Sequence, residues 1–89
     1  MVKKRTKIEI IRDVLEVLKK NKQLKITHII YKSNLTNNSV KPILENLLEN
    51  QLIQKISEKE KTFFAITKKG EEFLDEFNKI KVFSDAYGI

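Results

Sequence analysis

The sequence predicts a mainly helical α+β fold in one domain of 89 residues, with four helices and a two-stranded hairpin before the last of them. Three observations predict it. Apolar residues recur at spacings of three and four in residues 8–18 and again in 40–48, the period of a helix with one buried face. Two runs rich in branched and aromatic residues, 52–56 and 62–66, flank the charged segment EKEK, as hairpin strands flank their turn. Phe73, Leu74, Phe77 and Ile80 then make an apolar stripe on a last helical segment.

Taken in order, the first helix spans residues 6–20, with Thr6 as its cap. Ile8, Ile11, Leu15 and Leu18 fall on one helical line, and Ile10, Val14 and Val17 fall on an adjacent one. That face is wider than one small core requires, so the second line is expected to pack on the C-terminal helix or on a second subunit. Residues 21–23 are a polar break, and 24–26 alternate over a length that allows only a brief strand. Thr27 is expected to cap a short second helix containing Ile29, Ile30 and Tyr31, with Ser33 and Asn34 as the turn and Leu35 as an apolar plug.

The third helix carries Val40, Ile43, Leu44, Leu47 and Leu48 inward, and its start has two solutions. A Thr36 cap puts Pro42 at the sixth helical position, where it costs one hydrogen bond; a Ser39 cap puts it in the first turn, where no bond is lost. Asn50 stands where a left-handed residue usually ends a helix. In the second strand Phe63 and Phe64 point to opposite faces, so one belongs to the core and the other is half exposed. Thr67 caps the last helix, and the tail SDAYGI is expected to fray unless it docks. Two short helices joined by a tight polar turn are a helix-turn-helix, and with the hairpin the order is that of a winged helix. The expected divisions are a basic arm at 1–7, the winged-helix core at 8–66, a C-terminal helix at 67–83 that serves as a dimerisation element, and the tail at 84–89.

Composition narrows the function. The chain has no cysteine, which excludes disulfides, thiolate metal sites and cysteine nucleophiles. His28 is the only histidine and has neither clustered carboxylates nor a nucleophile beside it, so no enzyme, metal or cofactor is expected. No apolar run reaches the roughly 18 residues of a membrane span, and MVKKRTK is followed by no signal-peptide core, so a cytoplasmic, nucleoid-associated location is expected. The net charge of +6 is uneven: residues 1–43 hold eleven Lys/Arg against three Asp/Glu, and residues 44–89 hold seven against nine. Positive charge gathered in one region is the footprint of a polyanion partner.

These segments resemble the archaeal winged helix-turn-helix family of small, basic, ten-kilodalton chromatin and regulator proteins. KRTKIEIIRDVLEVL, ITHIIYKSNLTNNSV, ENLLENQLI and FFAITKKGEEFL carry the resemblance over nearly the whole chain. Residues 30–35 and the ITKKG junction are its most specific parts, while Asn50-Gln51 replaces the glycine-containing turn usual before the wing. The resemblance implies binding of double-stranded DNA, commonly as a homodimer joined through the C-terminal helix, in transcription regulation or chromatin.

The expected DNA-binding residues follow from the order of elements. Asn37, Asn38, Ser39 and Lys41 sit on the first turns of the third helix, where asparagine can pair with adenine, lysine with guanine or phosphate, and the helix N-terminus with phosphate. Glu45, Asn46 and Glu49 beyond them would repel phosphate, so only the N-terminal end is expected to insert. Lys3, Lys4, Arg5 and Lys7 form an arm suited to phosphates or the minor groove. Tyr31 and Lys32 are placed to meet the backbone, with a core position as the alternative for Tyr31, and Lys59 and Lys61 are the wing's cations. Ile10, Val14, Val17, Phe73, Phe77 and Ile80 are the expected dimerisation residues. A rival reading is a protein-interaction module within a transcription assembly, using the acidic second half and the C-terminal stripe.

Overall fold

The computed structural model describes the backbone of residues 6–87 and the side chains of residues 6–80. Its elements are α1 (Lys7–Lys20), α2 (Ile26–Ser33), α3 (Asn37–Glu49), β1 (Ile53–Glu58), β2 (Lys61–Ile66) and α4 (Lys68–Tyr87). The winged-helix order predicted from the sequence is the order observed, with four helices around one two-stranded antiparallel sheet.

α1 begins in a full capping box: the Thr6 hydroxyl accepts from the Glu9 N–H at 3.2 Å, and the Thr6 N–H donates to the Glu9 carboxylate at 3.2 Å. Ile11, Val14, Leu15 and Leu18 are buried on its inner face. The adjacent line finds its cover inside the chain, where Val14 is wholly buried and Ile10 and Val17 pack at the edge of the core. α4 packs on the other flank of α1, across the Ile11 and Leu15 line from these residues. The Arg12 guanidinium stands 5.9 Å from the centre of the Phe77 ring, Asn78 donates to Glu16 at 3.3 Å, and Lys19 meets Asp75 at 3.6 Å. The ion pair is half exposed and adds little.

The expected strand at 24–26 contracts to one residue. Leu24 exchanges both backbone hydrogen bonds with Phe64, at 2.9 and 2.8 Å, and Ile26 already begins α2. The N-cap is therefore Lys25, which makes no side-chain cap bond, rather than Thr27. Leu24 is pinned to the hairpin, so the helix must start at once to turn Ile26, Ile29 and Ile30 toward the core.

α2 and α3 end by the same device. After α2, Asn34 takes the left-handed conformation at φ 56°, its N–H donating to the Tyr31 carbonyl and that of Leu35 to Ile30. After α3, the Gln51 N–H donates to Leu48 and that of Leu52 to Leu47, with Gln51 at φ 60°. Each is a Schellman closure that returns an apolar residue, Leu35 or Leu52, to the core. The left-handed residue after α3 is thus Gln51 and not Asn50, which keeps φ −87° and uses its side-chain amide to cap the Asn46 carbonyl at 2.8 Å.

β1 and β2 pair from Ile53↔Ile66 to Glu58↔Lys61, so the turn holds only Lys59 and Glu60. Both have positive φ, 45° and 68°, as a two-residue hairpin turn demands. Phe64 is buried and Phe63 half-buried, as alternation predicts. The Thr67 hydroxyl accepts from the Gly70 N–H at 3.0 Å, capping α4, and donates to the Gln51 carbonyl at 2.6 Å. Gly70 is held there by space: a Cβ would collide with the Leu52 carbonyl oxygen and lie 2.7 Å from Ile66 Cγ1. Backbone helix continues through Tyr87, past the expected end at 83 and into the expected tail.

Candidate nucleic-acid interface

The helix-turn-helix presents one polar surface. Thr36 supplies the cap of α3, accepting from the Ser39 N–H at 3.2 Å and donating to the Ser39 hydroxyl at 2.9 Å. This settles the start of the helix in favour of Thr36, and Pro42 occupies the sixth helical position, exposed, with α3 continuous through it. The proline has no N–H to give the Asn38 carbonyl, which lies on the solvent side where water can meet it.

Val40, Ile43, Leu44 and Leu47 turn inward, while Asn37, Asn38, Ser39 and Lys41 are all exposed. The first turn of α3 contains no acidic residue to neutralise the free N–H groups at its positive end. One carboxylate turn follows, with Glu45 and Glu49 exposed.

Tyr31 is 87% exposed at the end of α2, so the core alternative for it is excluded; Lys32 beside it is exposed as well. Lys59 sits in the hairpin turn and Lys61 at the start of β2, both exposed. Lys7 is not part of an arm but the first residue of α1, with an exposed side chain. Lys3, Lys4 and Arg5 lie outside the described residues.

A groove of about 170 Å³ separates α3 from the hairpin, with Ile26, Leu44, Leu48 and Phe64 as its apolar lining and Lys41, Glu45 and Lys55 contributing charge. Lys55 is not among the DNA-binding residues expected from the sequence. It stands directly opposite Phe64 in the sheet and therefore shares that residue's face, toward α3. The period-two register was the available signal, but it becomes readable only once Phe64, rather than Phe63, is known to face inward.

Of the residues expected to join two subunits, Val14 is fully buried within one chain, and Ile10, Val17 and Phe73 pack against the core. Phe77 is half-buried under Arg12, and Ile80 is 67% exposed. Besides Tyr31, Ile80 and Ile8 are the exposed large hydrophobics among the described residues. Those residues contain no cluster of three His, Cys, Asp or Glu able to hold a metal, and no helix among them is long and apolar enough to cross a membrane.

The sequence model of the winged helix-turn-helix family matches residues 4–84. No curated protein matches the chain significantly. Among solved structures, the chain is similar to Sso10a-2, a DNA-binding protein from Sulfolobus solfataricus, with a TM-score of 0.76 and 24% identity over 94% of this chain and 87% of that one. It is similar also to a homodimeric winged helix-turn-helix DNA-binding domain from Mycobacterium bovis, with a TM-score of 0.63 and 16% identity over 91% of this chain and 81% of that one. A MarR family transcriptional regulator from Silicibacter pomeroyi DSS-3 aligns with a TM-score of 0.70 and 14% identity, over 88% of this chain but only 57% of the regulator. At these identities the likeness is one of fold.

Proposed function

The chain belongs to the winged helix-turn-helix family, matched over residues 4–84, and from that premise we propose that it binds double-stranded DNA as a homodimeric regulator or architectural factor. The N-terminal turns of α3 enter the major groove, and Lys59, Lys61, Lys7, Tyr31, Lys32 and the arm residues Lys3, Lys4 and Arg5 hold phosphates on either side. The observation that carries this reading is the exposed row of Asn37, Asn38, Ser39 and Lys41 at a helix start free of acids. Amides, a hydroxyl and an ammonium at the positive end of a helix are donors for phosphate and for base edges.

Two copies joined through α4 would present two recognition helices to half-sites about 34–36 Å apart. The exposed Ile80 and the half-buried Phe77 support such a contact, and a structural neighbour is described as a homodimer. Its archaeal setting is suggested by the neighbour from Sulfolobus solfataricus.

A duplex titration at several salt concentrations tests the reading. With roughly six or more phosphates neutralised per dimer, affinity falls on the order of a thousandfold between about 50 and 200 mM salt. Absent or salt-insensitive binding contradicts it. The rival reading, a protein-interaction module, draws its support from the same exposed Ile80. It predicts that Lys41→Glu leaves duplex binding unchanged while polar residues at Phe77 and Ile80 abolish function.

A further inference from the structure

Charge along α3 runs against simple phosphate binding, because the helix that carries Asn38 and Lys41 forward carries Glu45 on the same side. Asn38 and Glu45 are seven residues apart, so they lie about 20° from each other around the helix axis and about 10.5 Å apart along it. Lys41 falls between them in height, on a flank shared with Lys55, and all four side chains are exposed. With α3 lying along the groove, rather than entering it by the N-terminal end alone, Asn38 against a base edge carries Glu45 into the same groove, about three base-pair steps of ~3.4 Å further on.

Glu45 lines the groove between α3 and the hairpin together with Lys41 and Lys55, yet among the described residues it has no ion pair or hydrogen bond with either. Its carboxylate is thus an uncommitted acceptor beside two ammonium groups. The two neighbouring ammonium groups offset its repulsion from phosphates without consuming it.

We infer that Glu45 reads a base edge, accepting a hydrogen bond from the amino group of a cytosine, so that the protein discriminates sequence and does not merely grip the backbone. This rests on the DNA-binding reading above. An ionised carboxylate is acceptor-only, and cytosine is the base whose major-groove edge offers a donor alone. Guanine presents two acceptors there, and thymine an acceptor and a methyl group, so both oppose a carboxylate. Glu49, one turn further along, lies close to the end of α3, where the helix leaves the groove in this arrangement.

The test is selection of duplexes with a randomised core, followed by affinity measurement on the enriched sequences at fixed salt. The wild-type protein is expected to enrich cytosine at one position about three base pairs from an adenine, and replacing that cytosine is expected to weaken binding roughly 5- to 150-fold. Glu45→Gln is expected to move the preference at that position from cytosine to adenine, since a carboxamide can both donate and accept. Glu49→Gln is expected to leave the preference in place. Both side chains are exposed, so neither variant disturbs the core. Salt-dependent binding with no enriched cytosine, or with a preference that Glu45→Gln leaves unchanged, overturns the inference and leaves the DNA-binding reading standing. Failure of the wild-type protein to bind any duplex overturns both.

Discussion

The turns on either side of α3 (Asn37–Glu49) have the same hydrogen-bond pattern and differ in what holds them. The entering turn is made by Asn34, a residue whose short amide tolerates the left-handed region, and it is followed immediately by the Thr36 cap. The leaving turn is made by Gln51, which has no such tolerance, and it is held from outside by Thr67 and by the close seat of Gly70 against Leu52. One turn is written locally. The other is imposed by the start of α4 (Lys68–Tyr87), some 16 residues away in the chain.

Changes at the leaving turn should therefore have the larger effects. Gly70→Ala drives a methyl group into the Leu52 carbonyl and Ile66. It is expected to destabilise the fold by about 3 kcal/mol or more, read as a lower denaturant midpoint. Thr67→Ala removes the α4 cap and the bond to the Gln51 carbonyl together, and is expected to cost about 2 kcal/mol in the same measurement. Thr36→Ala removes a cap whose other partner is the exposed Ser39 hydroxyl, and about 1 kcal/mol is expected. The smallest effect carries the opposite sign. Gln51→Gly relieves the left-handed strain and is expected to stabilise by about 0.5–1 kcal/mol, visible as a raised melting temperature, whereas Asn34→Gly gains less. Equal effects of the two glycine substitutions would show that the turns are held alike.

The same contrast explains what the sequence reveals. The helix periods, the Thr6 and Thr67 caps, the Asn34 turn and the inward Leu35 are local signals, and the structure has each of them where the pattern predicts, whereas the Thr36 cap is one of two starts that the pattern allows. Lys25 replaces Thr27 as the cap of the second helix because Leu24 is tied to Phe64, a pairing of residues 40 apart that no local propensity contains. Gln51, Lys59 and Glu60 adopt positive φ without being glycine or asparagine, so turn chemistry pointed to Asn50 and to a wider wing tip. The polar row on α3 was legible because inward Val40 and Ile43 force its neighbours outward. The place of Lys55 beside it was not, since the sheet face had first to be assigned.

The central claim is that the start of α3 meets DNA, and amide chemical shifts recorded while a duplex is titrated into the protein test it most directly. The expected result is a set of shifts centred on Asn37, Asn38, Ser39 and Lys41, with weaker ones at Lys59 and Lys61, all diminished by added salt. Shifts confined to α4 around Phe77 and Ile80, or none at the start of α3, would contradict it.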